Sequence, residues 1–239
     1  METIVVSAAT DGELSNLIGR IGAQKLSSQL PMDLHALRTS HYQIIIAKTG
    51  MGKAMAASTT TALIHGFSPV LIINTGCAGA YAGCGLETGN LALATCEIFA
   101  DEGIETPEGW QSLEQMGFAL WEKNGIGFGN EIPLSAALVG EASRVAARYG
   151  FKFKAGKFLT VSTCSGSRMR GEVLIKRYGG VCENMEGAAV ALTASRYGIP
   201  CLEVRGISNI VEDRDLSRWD IPLAVTSASD FIERFLESV

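Results

Sequence analysis

Residues that can move protons or bind polar groups recur beside glycine- or alanine-rich stretches of this 239-residue chain. Glu186 stands in "ENMEGAAVA" (183–191), directly ahead of small and apolar residues that predict a buried helix. An ionised Glu buried alone is costly, so this carboxylate needs a hydrogen-bonding counterpart from the protein or from a ligand. Glu13, in "SAATDGELSNL" (7–17), opens a helix just after the first strand. Ordinary acidity at a helix N-terminus accounts for it, and its place at a strand's carboxyl end also makes it a candidate base. Cys77, Ala78 and Gly79 lie in "NTGCAGAYAGCG" (74–85), where glycine lets backbone approach a ligand or simply form a turn. Asn209, in "EVRGISNIVED" (203–213), follows a predicted buried strand together with Ser208. Its amide offers one donor and one acceptor at a point, or an Asx turn.

The elements that must position these residues alternate along the chain. Apolar strand-like runs "TIVVSAA", "QIIIAKTG", "PVLIINTG", "GNLALATCEIFADEG", "GKFLTVSTC" and "PCLEVRGIS" are separated by helical patterns. Strands that are apolar without alternation suit a sheet covered on both faces. The expected fold is therefore a single-domain, three-layer α/β/α sandwich over residues 1–239, with a mixed, mostly parallel central sheet. The candidate residues then converge on one edge of that sheet, which raises a ligand site above four separate local explanations. Residues 101–133 stand apart as an irregular Gly-rich segment bearing Trp110 and Trp121. A long insertion of this kind is expected to be a substrate lid or a subunit contact.

Other patterns exclude functions. "TGMGKAMAA" (49–57) fails as a phosphate loop, because Ala47 replaces the first glycine and Ala54 the Ser/Thr after Lys53. It also fails as a dinucleotide fingerprint at Met55. Its glycines instead suit a tight turn from strand into helix. A net charge of −5 without basic clusters argues against nucleic-acid or acidic-membrane partners. No apolar run reaches the about 18 residues that span a bilayer. The start "METIVVSAAT" reads as a strand and not a signal peptide, so a cytoplasmic location is expected. The six cysteines lack C-x-x-C spacing and the three histidines lack zinc spacing, so no metal is expected.

Taken in order, "GELSNL", "TGMGKAMAA", "INTGCAGA", "NMEGAAVA" and "VRGISN" resemble the purine nucleoside phosphorylase and nucleosidase superfamily over nearly the whole chain. Within it the chain looks most like the futalosine hydrolases, which release hypoxanthine in an alternative menaquinone pathway, and next like the methylthioadenosine/S-adenosylhomocysteine nucleosidases. The resemblance implies that Glu186 binds the ribose hydroxyls, that Met185 packs on the sugar and that Glu13 activates water. It implies further that Asn209 meets the purine at N7 and its 6-substituent, and that the backbone of Cys77, Ala78 and Gly79 borders base and ribose. Adenine-specific relatives carry Asp at the Asn209 position, and Asn184 replaces a Glu. An Asn amide donates to a 6-oxo group, so a 6-oxopurine is expected. The phosphorylases place an Arg where this chain has Asn74, which favours water over phosphate as nucleophile. The implied reaction needs no metal or organic cofactor and has only a nucleoside partner, with homo-oligomers usual among relatives. Arg168 and Arg170 are candidate cations for a carboxylate beyond the 5′ carbon, or surface residues.

Overall fold

The structure, a computed structural model, describes residues 1–123 and 125–239 and leaves aside the side chains of Lys123 and Ile126. Asn124, within the segment expected as lid or contact, lies outside the described residues. In chain order the elements are β1 (Glu2–Ala8), α1 (Asp11–Ile21), β2 (Gln24–Leu26), β3 (Leu34–Arg38), β4 (Tyr42–Lys48), α2 (Lys53–Phe67) and β5 (Leu71–Tyr81). They continue with β6 (Leu91–Phe99), β7 (Gly103–Thr106), β8 (Gly109–Ser112), β9 (Trp121–Lys123), β10 (Ile126–Phe128), β11 (Glu131–Pro133), α3 (Ala136–Arg148) and β12 (Phe153–Thr160). The chain then runs through α4 (Arg168–Tyr178), β13 (Cys182–Asn184), α5 (Gly187–Arg196), β14 (Cys201–Val211) and α6 (Ile221–Leu236).

The apolar runs form the inner strands because both of their faces are covered. Ile4, Val6, Ile44 and Ile46 pack under α1, α3 and α6 with Leu14, Val145 and Phe231. Their neighbours Val5, Ile45 and Ile72 point the other way, onto Leu63 of α2 and the alanines of α5. That is the expected α/β fold, with helices on both faces of a central mixed sheet. β1 pairs in parallel with β4 and β5, and β14 runs parallel to β5 from Cys201 to Val211. β6 is parallel to β12 but antiparallel to β14 and β11.

Beyond the expected sandwich, one end of the sheet closes on itself. β5 pairs with β14, β14 with β6, β6 with β12, β12 with β13, and β13 with β5. The five strands form a ring, and the closure brings residues from distant segments face to face. The segment 101–133 is less irregular than its composition suggests. It contains the antiparallel pairs β7–β8 and β9–β10 before β11 joins the sheet edge on β6. Among the described residues, no helix is long and apolar enough to cross a membrane.

Candidate active site

A cavity of about 680 Å³ opens at the carboxyl ends of β1 and β5, of the size that takes a small ligand. Glu13, Cys77, Ala78, Gly79, Asn184, Met185, Glu186 and Asn209 all line it, so the structure brings these eight residues to one place. Ser15, Asn16, Trp219, Pro222 and Thr226 complete its outer part. Among the described residues, three that line it are glutamates and none is a lysine or arginine.

Glu13 is fixed by the start of α1. Thr10 caps the helix, its hydroxyl accepting from the Glu13 N–H, while Glu13 Oε2 accepts from Thr10 N at 3.0 Å and Thr10 Oγ1 at 2.9 Å. The reciprocal pair satisfies two otherwise orphan donors and locks the side chain. Oε1 accepts from the Cys77 N–H at 3.0 Å. Glu13 is thus both a capping acid and a cavity acid. Its seat requires Gly76: at φ +138°, a Cβ there would overlap the Glu13 carboxylate and come within 2.8 Å of Arg205 Nη1. Burial and then Glu13 push the Cys77 thiol up to about 12, so Cys77 is a neutral thiol and not a thiolate nucleophile.

Glu186 is the N-cap of α5 and is 5% exposed. Its counterparts inside the protein are the Gly52 N–H, 2.9 Å from Oε1, and Arg205 Nη2, 3.7 Å from Oε2. Burial raises its pKa above the usual carboxylate range, with Arg205 and the Gly52 N–H opposing. The turn at Gly50 and Gly52, both with positive φ, therefore does more than join β4 to α2. It aims a backbone donor at the cavity acid. Arg205, in turn, is a residue the motif reading passed over. It is 1% exposed, its Nε donates to Glu203 Oε1 at 2.8 Å, and burial would depress it but Glu203, Glu186 and Glu13 hold it raised. The signal was present: Glu203 and Arg205 stand two apart in an apolar strand and so share one face.

Asn209 lies inside β14 and not beyond it, at a register shift between Ile207 and Asn209 against β5. The bulge turns its amide toward the cavity. Ser208 Oγ donates to its Oδ1 at 2.8 Å, and its Nδ2 donates to the Ile210 carbonyl at 3.2 Å. One N–H and one lone pair remain for a ligand. Asn184 has less to offer. Its Oδ1 accepts from the N–H groups of Glu186 and Gly187, and its Nδ2 donates to Glu97 at 2.8 Å. Glu183, also unassigned from sequence, lines the wall and accepts from Ser165 N, Ser165 Oγ and Tyr81 OH.

Arg168 and Arg170 do not line the cavity. Arg168 pairs with Glu172 on the surface of α4. Asn74 is buried in β5, where Ser7 Oγ donates to its Oδ1 at 3.3 Å, and does not line the cavity either. No described residue of 101–133 lines it.

A family profile described as the Phosphorylase superfamily matches residues 3–238. The chain belongs to that superfamily. It is 31% identical over 189 residues to a futalosine hydrolase of Streptomyces coelicolor, covering 77% of this chain and 74% of that one. It is 30% identical over 171 residues to a 5′-methylthioadenosine/S-adenosylhomocysteine nucleosidase of Halalkalibacterium halodurans, covering 70% and 68%. A solved futalosine hydrolase mutant of Helicobacter pylori superposes with a TM-score of 0.86 at 21% identity over the whole of both chains, which shows a shared fold.

Proposed function

We propose that this superfamily member is a hydrolase that cleaves the N-ribosidic bond of futalosine, a 6-oxopurine nucleoside, releasing hypoxanthine and dehypoxanthine futalosine. The observation that carries the hydrolytic reading is the cavity wall, which among the described residues holds three glutamates and no lysine or arginine. A phosphate dianion entering that wall would meet like charges with no guanidinium or ammonium to hold it, whereas water suffers no such penalty. The futalosine hydrolase names among the more than 30% identical relatives support the substrate.

In this mechanism positive charge develops on the ribose as the bond to the purine lengthens. Glu186 Oε2, facing only the distant Arg205 Nη2, accepts from the 2′- and 3′-hydroxyls, each such bond to a charged acceptor contributing about 1.5–3 kcal/mol. Met185 packs against the sugar, and the backbone of Cys77–Gly79 borders base and ribose. Glu13, already held through both oxygens, orients and deprotonates the attacking water. Asn209 donates to the 6-oxo group and accepts from protonated N7. The N7 proton comes from solvent through an ordered water, since a carboxamide has none to give.

A second reading, a methylthioadenosine-type nucleosidase, has support from the relatives of that name. Asn209 separates the two. With Oδ1 accepting from the protonated N7 of the departing base, Nδ2 meets the 6-position, and a 6-amino group there leaves a buried donor opposite a donor, which costs about 1–3 kcal/mol. The test incubates the protein with futalosine, inosine and methylthioadenosine, with and without phosphate, and identifies the released base. Hypoxanthine release from futalosine without phosphate is expected, and Asn209→Asp should lower that rate by about tenfold or more, in line with a mispaired polar group. Preferential adenine release would overturn the substrate, and strict phosphate dependence would overturn hydrolysis.

The remaining expectation concerns assembly. Exposed Ile104 and Phe118 support 101–133 as a contact between copies and not a lid, since the segment stays away from the cavity wall. Light scattering before and after Phe118→Ser measures this: a smaller particle supports the contact.

A further inference from the structure

The reaction above leaves two deeply buried acids without a task. Glu97 of β6 and Glu203 of β14 are both wholly inaccessible to solvent. Their carboxylates meet at Gly187, where a Cβ would overlap Glu97 Oε1 and both oxygens of Glu203. The two hydrogen bonds that Glu97 receives come from neutral donors, Thr160 Oγ1 at 2.6 Å and Asn184 Nδ2 at 2.8 Å. Glu203 Oε1 accepts from Arg205 Nε, whereas Glu203 Oε2 is buried with no hydrogen-bond partner among the described residues.

The charges do not balance if every acid is ionised. Glu13, Glu186 and Glu203 act on one guanidinium, Arg205, and Glu97, beside Glu203, adds a fourth acid within reach of the same cation. Uncompensated buried charge is among the costliest arrangements a fold can hold, and adjacent carboxylates relieve it by sharing a proton. A proton on Glu97 removes one negative charge and supplies the missing donor toward Glu203 Oε2. The geometry points to Glu97 and Glu203 as a one-proton carboxyl–carboxylate pair that positions Glu186 for the ribose. This role rests on the nucleosidase reading.

Positioning runs along two arms. On one, Glu97 fixes the Asn184 amide, whose Oδ1 then holds the N–H groups of Glu186 at 2.9 Å and Gly187 at 2.7 Å. On the other, Glu203 fixes Arg205, whose Nη2 faces Glu186 Oε2. The backbone and the carboxylate of Glu186 are thus both set by the pair. The other titratable groups that interact with it are Arg205, Glu186 and Glu13, and the thiols of Cys96, Cys182 and Cys201. Burial and the neighbouring acids raise all three thiols, so they stay neutral. Burial first, and Glu203 next, hold Glu97 well above the usual carboxylate range.

Infrared titration of the whole protein reads the proton directly, through the carbonyl stretch of a neutral carboxylic acid. The expected result is a neutral-acid band that persists at neutral pH, disappears in Glu97→Gln and survives in Glu172→Gln on the surface of α4. In Glu203→Gln the band should vanish at lower pH, because the like charge that raises Glu97 is gone. Absence of the band in the wild-type protein at neutral pH, or an unmoved midpoint in Glu203→Gln, overturns the shared proton. The band is visible whether or not any nucleoside is cleaved, so failure of the nucleosidase reading is told apart from failure of the pair. For the positioning role, Glu203→Gln should raise KM by about tenfold or more, the loss expected when a buried guanidinium is left without its charged hydrogen-bond partner. Unchanged KM and kcat in a folded Glu203→Gln overturn it.

Discussion

Glu13 and Glu186 line the same cavity with different surroundings, and the difference gives each its own test. Glu13 is tied down by Thr10 and Cys77 through hydrogen bonds to both oxygens, and Glu13→Gln keeps the side chain's size while removing the basic oxygen. Loss of general-base catalysis should lower kcat by about 10²–10⁴-fold with the fold intact by circular dichroism. Glu186→Gln should instead act mainly through the sugar, raising KM for the nucleoside as well as lowering kcat. The acid limb offers a further check. Glu186 must be ionised to hold the ribose, and burial raises its pKa. The kcat/KM of the free enzyme should therefore fall, as pH drops, at a higher pH than an ordinary Glu would give. An acid limb in the ordinary carboxylate range would mean that another group controls it. At this scale the sequence disclosed the acids but not their company. Glu186 advertises itself before an alanine run, whereas Arg205 inside β14 shows in the sequence only as the same-face neighbour of Glu203. Only the closed ring shows that it sits between three carboxylates.

Among the elements, β5 carries the most demand, because its carboxyl half is a pocket wall on one side and a ring strand on the other. Gly76 is where those demands collide. Its φ of +138° suits glycine, and a Cβ there would overlap the Glu13 carboxylate. Gly76→Ala should cost about 1–3 kcal/mol in urea unfolding, from backbone strain. It should lower turnover by about 10²-fold as well, because misplacing a catalytic group by an ångström is that costly. Normal turnover in Gly76→Ala would show that Glu13 is not held by this contact. The legible elements were those with long apolar runs, such as β1, β4 and β5, or with caps and a buried stripe, such as α1. The illegible ones lack such a signal. β13 is three residues long and exists because β12 and β5 flank it. α4 buries only Gly171 and Leu174, too little apolar stripe to stand out. Asn209 was expected past a strand end, because a bulge that lets β14 continue to Val211 leaves no mark on composition.

Across the whole molecule, the ring of β5, β14, β6, β12 and β13 gathers one polar network inside an otherwise apolar fold. Each strand contributes: Cys77, Arg205 with Glu203, Glu97, Thr160 and Asn184. The arrangement sets the requirement for stability against the requirement for activity. Glu97 and Glu186 both have folded-state pKa values raised by burial, so between the ordinary carboxylate range and those raised values the folded protein binds more protons than the unfolded chain. Unfolding stability then has a negative slope against pH: it is fully present below the unfolded pKa and is lost as pH rises through each folded value. The thiols of Cys77, Cys182 and Cys201 are raised too and extend the same sign into the alkaline range. Activity runs the opposite way at the acid end, because Glu186 must lose its proton to hold a ribose. The pH of greatest stability should therefore lie below the pH of greatest kcat/KM. Urea unfolding midpoints measured across about pH 5 to 8, where folded proteins are usually most stable, would show it as a decline toward the alkaline end. Glu97→Gln, neutral at every pH, should flatten that decline. A midpoint that climbs steadily with pH over the same range would mean that the buried acids are ionised throughout, with Arg205 alone holding them.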